Sequence, residues 1–322
     1  MRVGRRQASH PTVQSVNGHG GDAAVAFFCP VLVSPAPHPH RLAGRMITDA
    51  AQTMEIVVID PAAVLMGSWI LDAALMTVFW LWAKRFRNAG YVDIGWCLGI
   101  GLNALVDLLW SGTHSLLAWA LAVAVWLWAL RLAVYLAGRV IGKAEDPRFS
   151  ALRKEWRERG RSENAALFGI YQFQGFLALI FAGPVFLACL EPSLRFGWTG
   201  VLGLVLFAVG LAGEVLADAQ LSRHKASRSG GVCRRGLWAY SRHPNYFFEF
   251  LVWLGLAVGT LEAPHGFLAL LCPVLILTFL LKVTGIPATE AHAVESRGEE
   301  YRRYQREVSA FVPWLPHKGQ GR

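Results

Sequence analysis

Long runs of hydrophobic residues recur along this chain, and short polar segments separate them. Each run is close to the roughly 20 residues that an α-helix needs to cross a bilayer. The predicted spans cover residues 62–83, 91–110, 115–138, 167–190, 198–219, 244–261 and 265–284. The pattern therefore predicts an all-α, polytopic membrane protein with about seven transmembrane helices, in a domain at residues 62–316.

Two further helices are predicted outside the hydrophobic runs. Asp146 precedes Pro147, which is a favourable helix start, and the charged segment 145–161 carries apolar residues on one face. We expect this segment to form an interfacial helix between the third and fourth spans; the alternative is a basic wall beside an anionic cofactor. After the last span, residues 285–316 are expected to form a cytoplasmic helix that folds back under the bundle; the alternative is a juxtamembrane amphipathic helix.

The composition and the charges define the class and the orientation. Of 322 residues, 54% are hydrophobic and 16% are charged, with a formal net charge of +9, which is too apolar for an ordinary soluble domain. Lys and Arg concentrate in alternate loops, and short basic loops stay in the cytoplasm. The expected location is a bacterial inner (plasma) membrane, with the C-terminus inside. Topology accounts for the positive charge, so membrane lipids are expected partners, whereas nucleic acid and protein partners are not.

The N-terminal region conflicts with that orientation. Residues 1–45 contain five arginines that would have to be translocated. We expect them to be a disordered tail or an over-extended start, because the segment is also rich in Pro, Gly and His. Residues 46–61 then form a short N-terminal segment, and residues 317–322 form a tail.

A metal site has little support in this sequence. The five cysteines are scattered without a CxxC spacing, and no HxxxH or HExxH pair occurs. Neither zinc ligation nor a disulfide framework is indicated.

Two carboxylates in the fifth span are candidate functional residues. Glu214 and Asp218 lie four residues apart, which places them on one face of a helix, and Lys225 follows towards the cytoplasm. Carboxylates can accept hydrogen bonds from a ribose, while basic residues can hold phosphate. An internal salt-bridge network with arginines is the alternative interpretation.

The start of the sixth span gathers costly polar groups at a membrane helix. Pro244 suits the first turn of a helix, and the backbone amides that follow it favour an anion. Asn245 and Glu249 share a face of this helix. Basic residues surround the start: Arg234, Arg235, Arg242 and His243. The segment predicts a pocket for an anionic nucleotide at the cytoplasmic mouth, although a collar of polar residues at the water interface is the alternative.

Seven short motifs resemble those of the membrane-embedded steroid 5α-reductase superfamily, in its bacterial uncharacterised branch. They are YVDIGW (91–96), RLAVYLAGR (131–139), EDPRF (145–149), EVLADAQL (214–221), GLWAYSRHPNYFFE (236–249), GIPATE (285–290) and the closing GEEYRRYQREVSAFVPW. The resemblance implies NADPH bound at the cytoplasmic ends of the C-terminal helices. It also implies reduction of a carbon–carbon double bond conjugated to a carbonyl, in a steroid-like or other hydrophobic lipid substrate.

The resemblance also assigns roles to residues. It matches Asp218 to an aspartate that contacts the adenosine part, Lys225 and the nearby arginines to phosphate ligands, Asn245 to an asparagine near the nicotinamide, and Glu249 to a glutamate that supports Asn245. The full set of candidate cofactor-binding residues is Glu214, Asp218, Lys225, Arg234, Arg235, Tyr240, Arg242, His243, Asn245, Tyr246, Glu249 and Tyr304. Asp93 is the first candidate for the catalytic acid, with Tyr135 and Arg131 as partners, because hydride addition builds negative charge on the carbonyl oxygen. The tyrosine acid of the steroid enzymes is replaced by Trp128, and their Asn-x-x-x-Asp by Glu214-x-x-x-Asp218.

One alternative activity comes from another reaction class. Isoprenylcysteine and phospholipid methyltransferases share the RHP-x-Y helix start and a similar tail, and they use S-adenosylmethionine. The EDPRF, ADAQL and GIPATE elements favour the reductase.

Overall fold

The computed structural model describes residues 60–227 and 231–316, and within them the chain is helical without a β-strand. The expectations for residues 1–45, for nearly all of 46–61 and for 317–322 fall outside the described residues. The helices are α1 (Pro61–Phe86), α2 (Tyr91–Ser111), α3 (Leu116–Val140), α4 (Pro147–Glu158), α5 (Glu163–Cys189), α6 (Trp198–Ala226), α7 (Pro244–Gly259), α8 (Leu271–Thr278), α9 (Ile286–Arg297) and α10 (Glu299–Glu307). The predicted all-α fold is confirmed.

The number of membrane-crossing helices differs from the prediction. Within the described ranges, six helical stretches are long and apolar enough to cross a membrane: α1, α2, α3, α5, α6 and the continuous stretch Gly266–Arg297 that contains α8 and α9. The sixth predicted span is present as α7, but it has only 16 residues, about 24 Å of helix. It ends at Gly259 because the chain turns there, where the backbone N–H of Thr260 donates to Ala257 O at 3.1 Å.

The predicted interfacial helix is present as α4. The Asp146 side chain accepts a hydrogen bond from the backbone N–H of Arg148 at 2.9 Å, and Pro147 occupies the first turn. Phe149 and Trp156 pack against the bundle core. The local sequence signal for this helix was therefore sufficient.

Close packing of α6 against α7 positions the site. A Cβ atom on Gly255 would lie 2.6 Å from the carbonyl oxygen of Gly203, and one on Gly210 would lie 2.7 Å from the backbone nitrogen of Val252. Only glycine allows this approach of two membrane helices. The side chains next to this contact, at the ends of α6 and α7 nearer α9, therefore face each other.

Aromatic rings fill the centre of the bundle beneath that end. Trp128 meets Trp253 edge-on at 4.8 Å between ring centroids, Phe181 meets Trp253 at 4.6 Å, and Trp96 meets Trp128 at 5.6 Å. Trp128 and Trp253 are fully buried. These rings come from α2, α3, α5 and α7, so they join four helices.

The C-terminal segment folds back as predicted, in two helices. After α10, the chain runs beside the turn that precedes α7: the backbone N–H of Arg242 donates to Ser309 O at 2.8 Å, and that of Trp314 donates to Tyr240 O at 2.9 Å. The Ser241 hydroxyl donates to Phe311 O at 2.8 Å. The segment thereby closes one side of the site.

Candidate functional site

A cavity of about 870 Å³ opens between α3, α6, α7 and α9, and the start of α4 forms part of its rim. This volume lies in the usual range for small-molecule and cofactor sites. Leu132, Leu136, Ile276 and Leu280 make part of the wall apolar. The remaining wall is polar, with carboxylates at its deep end and cations at its mouth.

The deep end of the cavity holds carboxylates around one arginine. Arg131, on α3, makes ion pairs with both Glu214 and Asp218 on α6. Glu249, on α7, accepts hydrogen bonds from the indole N–H of Trp253 at 2.7 Å and of Trp128 at 3.1 Å. Three buried carboxyl groups therefore share a single guanidinium.

Asn245 lies one helical turn above Glu249 and has an unsatisfied acceptor. Its amide nitrogen donates to Asp218 Oδ1 at 3.4 Å, while its amide oxygen is buried and has no hydrogen-bond partner within the described chain. Such an orphaned polar atom on a cavity wall is expected to bind a donor on a ligand. An amide oxygen and a carboxylate side by side suit the carboxamide and hydroxyl groups of a nucleotide.

Three exposed cations surround the mouth. Arg139 ends α3, Lys225 ends α6 and Arg297 ends α9, and the three are close enough to repel one another. Within the described ranges, none of them makes an ion pair with a carboxylate. Asp218 attracts Lys225 and Arg139 at longer range, but clustered cations without a direct ion pair form a binding site for an anion.

The fourth cation at the rim, Arg148, is already paired. Its guanidinium donates to Asp146 Oδ1 and Oδ2, both at 3.0 Å. Burial alone would raise the pKa of the Asp146 carboxyl, but the hydrogen bonds from Arg148 outweigh it and hold that pKa below its usual range. Asp146 therefore balances the charge that Arg148 brings to the start of α4, and the alternative role of segment 145–161 as a basic wall stays a prediction.

The wall formed by α9 is a network of hydrogen bonds around Glu290. Arg242 donates to Glu290 Oε1 at 2.6 Å, and the imidazole of His243 lies 3.2 Å from the same oxygen. The His243 ring stacks on Tyr246, with 5.2 Å between ring centroids. Arg242 also donates to the carbonyl oxygens of Gln305 at 2.8 Å and Val308 at 2.6 Å. These side chains therefore hold the wall in place with their own partners.

The structure gathers most of the residues predicted from sequence. Those on the cavity wall are Tyr135, Glu214, Asp218, Lys225, Arg242, His243, Asn245, Tyr246, Glu249 and Tyr304. Their functional roles remain predictions.

Five other predicted residues do not line the cavity within the described chain: Asp93, Arg131, Arg234, Arg235 and Tyr240. Arg131 contacts the wall through its two carboxylate partners, whereas Asp93 lies near Arg139 and Arg148 behind the rim. Arg234 is bound to Glu307 at 2.5 Å. Arg235 and Tyr240 are exposed.

Sequence reasoning missed three residues at the mouth. Arg139 could have been found, because it follows Arg131 and Tyr135 at helical spacing on α3. Arg148 was one of several basic residues in segment 145–161, and the sequence did not distinguish it from the others. Arg297 gave no signal, because its position depends on where the chain bends at Gly285, before α9. Within the described residues, no group of three or more His, Cys, Asp or Glu side chains could hold a metal ion.

The fold and the site define an integral, multi-pass membrane protein with a charged, nucleotide-sized cavity at one end of its bundle. The chain matches the family described as "Protein of unknown function (DUF1295)" over residues 79–308, which is more than half of its length. It belongs to this family, which is steroid 5-alpha-reductase-like.

Two curated relatives agree with that assignment. The chain is 39% identical to "Steroid 5-alpha-reductase DET2" of Arabidopsis thaliana over 85 residues, which are 26% of this chain and 32% of the relative. It is 39% identical to the protein of the same name from Gossypium hirsutum over 72 residues, 22% of this chain and 28% of the relative. The match thus spans about a third of the length of these relatives. No solved structure matches the chain.

Proposed function

We propose that this protein is a membrane reductase that uses NADPH to reduce a carbon–carbon double bond conjugated to a carbonyl, in a steroid-like or other lipid substrate. The observation that carries the proposal is the unpaired cation cluster of Arg139, Lys225 and Arg297 at the mouth, above the carboxylates and Asn245. The basic loops on this side support a cytoplasmic mouth in a bacterial inner membrane.

The charge of the mouth distinguishes the two candidate cofactors. NADPH carries a pyrophosphate and a 2′-phosphate, which need several cations. S-adenosylmethionine has no phosphate and carries a sulfonium cation, which three unpaired cations would repel. The geometry therefore favours a dinucleotide over the methyl donor of the alternative activity.

In the proposed complex, each depth of the cavity has its own task. Arg139, Lys225 and Arg297 hold phosphates, Asp218 accepts from a ribose hydroxyl, and the free amide oxygen of Asn245 accepts from the carboxamide. The bound nicotinamide supplies a hydride. The apolar wall around Leu132 and Leu280 excludes water and accommodates the hydrophobic substrate.

A titration of purified protein in detergent tests the proposal. NADPH, NADH and S-adenosylmethionine are compared by calorimetry, and we expect NADPH to bind most tightly, with an affinity that falls as salt screens the phosphates. Loss of one phosphate contact in Arg139→Ala should weaken binding about tenfold to a hundredfold, because a hydrogen bond between charged groups contributes ~1.5–3 kcal/mol.

A matched control comes from α4. Lys154 is exposed and pairs only with Glu158, one turn away and off the cavity wall, so Lys154→Ala should leave the affinity unchanged. Binding of S-adenosylmethionine without binding of NADPH would overturn the proposal in favour of the methyltransferase.

A further inference from the structure

The register of α6 against α7 places two glutamates opposite each other. Asp218 faces Asn245, and one helical turn deeper on both helices come Glu214 and Glu249. The two helices are antiparallel and packed closely through their glycines. The next pair of facing positions along them therefore brings these two side chains together. Their carboxyl groups are both buried and close enough to interact electrostatically.

Within the described chain, the hydrogen bonds around this pair leave one carboxylate oxygen without a donor. Both Glu249 oxygens accept from tryptophan N–H groups, and Glu214 Oε1 accepts from Arg131. Glu214 Oε2 is buried and has no donor within the described chain. Glu214 is 4% exposed and Glu249 is 8% exposed. Two ionised carboxylates at this depth would repel each other and leave that oxygen unsatisfied, whereas one proton between them removes both defects.

We propose that Glu214 and Glu249 share one proton and that this pair is the proton donor to the reduced substrate. The proposal rests on the reductase function proposed above. Glu214 stands where the resemblance places an asparagine in the steroid enzymes.

The charged groups around the pair agree with one bound proton. Arg131, from α3, makes ion pairs with Glu214 and Asp218 and also attracts Glu249, while Arg139 and Lys225 act on Asp218 from nearer the mouth. From α2, Cys97 lies close enough to interact electrostatically with both glutamates and with Asp93. Trp128 cannot act as an acid, and its N–H is already bound to Glu249. Glu214 and Glu249 both contribute to the wall of the cavity in which the substrate is proposed to bind.

The reaction balances with this donor. A hydride adds to the β-carbon of the double bond, the π electrons move to form an enolate, and one proton passes from the glutamate pair to the substrate. The pair is then left with two carboxylates, and it regains its proton from solvent. The sum is one hydride and one proton added across the double bond, with NADPH oxidised to NADP⁺.

Infrared spectroscopy tests the shared proton without any cofactor or substrate. Protein labelled with isotopic glutamate is measured at neutral pH, and we expect a carbonyl stretch of a protonated carboxyl group that shifts with the label. The label separates it from the buried aspartates. The band should disappear in Glu214→Gln and in Glu249→Gln, and it should persist in Glu295→Gln, which changes an exposed glutamate at the rim.

Kinetics test the donor role. At saturating NADPH, Glu214→Gln should lower kcat by about 10²–10⁴-fold, as for loss of a general acid, with a smaller change in the Kd for NADPH. If Glu214 only bound nucleotide, Kd would rise while kcat at saturation stayed unchanged, and the donor role would be overturned.

The two proposals fail in different ways. If the wild-type protein binds NADPH but shows no glutamate band, the shared proton alone is overturned. Protein that shows the band but does not bind NADPH overturns the reductase and, with it, the donor role.

Discussion

Removal of the Arg242 guanidinium tests whether this residue binds the ligand or holds the C-terminal segment. The sequence predicted a ligand contact, but the side chain is only 11% exposed and is bound to Glu290, Gln305 and Val308. All three partners belong to α9 or to the chain around α10. Arg242→Met keeps the aliphatic stem and removes the charge, so it isolates these hydrogen bonds.

The expected cost can be worked from these contacts. Three hydrogen bonds to a charged group contribute ~1.5–3 kcal/mol each if counted separately, but they share one guanidinium and are not additive. Breaking one partner of a buried ion pair costs about 3–5 kcal/mol. The loss should appear as local detachment of the segment from α10 to Pro316, because the spans themselves do not depend on Arg242.

Hydrogen–deuterium exchange in detergent measures this detachment. A local loss of ~3 kcal/mol corresponds to exchange about a hundredfold faster in peptides that cover residues 299–316. Arg306→Ala is the control, because Arg306 pairs with Glu299 at the surface and both side chains are more than 60% exposed, so its removal costs little. Unchanged exchange in Arg242→Met, together with a large loss of NADPH affinity, would show that Arg242 acts on the ligand directly.

Two further predictions concern packing and charge. Gly255→Ala should destabilise the protein by about 1–3 kcal/mol, because the new Cβ would lie 2.6 Å from Gly203 O. Gly169→Ala is the control and should not destabilise it, because nothing lies within 4 Å of the Cβ position there. Thermal unfolding measures both variants, and equal unfolding temperatures would contradict the close packing of α6 on α7. Asp146→Asn preserves a good helix cap but loses the ion pair with Arg148. Because the pKa of Asp146 is lowered in the folded protein, its stabilising contribution is present above the usual carboxyl range and is lost as pH falls through the lowered pKa. The stability difference from wild type should therefore vanish in acid, and a difference independent of pH would refute this.

The fold was largely predictable because hydrophobic runs and helix starts are local signals. Asp146 followed by Pro147, and Pro244 after a polar segment, begin helices where the sequence predicted them. The length of α7 was not predictable in the same way. The apolar run continues past Gly259, but the turn that ends the helix depends on contacts that the run does not encode: the Thr260 hydroxyl lies between Leu256 O at 2.8 Å and Pro184 O, on α5, at 3.3 Å.

The candidate site was predictable as a set of residues but not as a set of pairs. The spacing of Glu214 and Asp218 placed both on one face of a helix, which the structure confirms. No sequence pattern shows that Arg131 pairs with both of them, or that Arg242 is already paired with Glu290. Ion pairing is a long-range property, so the sequence overestimated the number of cations available to a ligand near Pro244 and missed Arg297.

The order of charges along the cavity connects cofactor binding to proton transfer. On α3, Arg139, Tyr135 and Arg131 recede from the mouth at helical spacing, and on α6 the cationic Lys225 gives way to the acids below it. A dinucleotide that entered phosphates first would bring its negative charges against the carboxylates, so it must enter with its nicotinamide first and leave its phosphates among the cations. In the proposed complex, that orientation would bring the hydride to the depth of Glu214 and Glu249, the pair proposed to share a proton. Under the two proposals, the same charge gradient would place the two halves of the reduction, hydride and proton, at one end of the cavity.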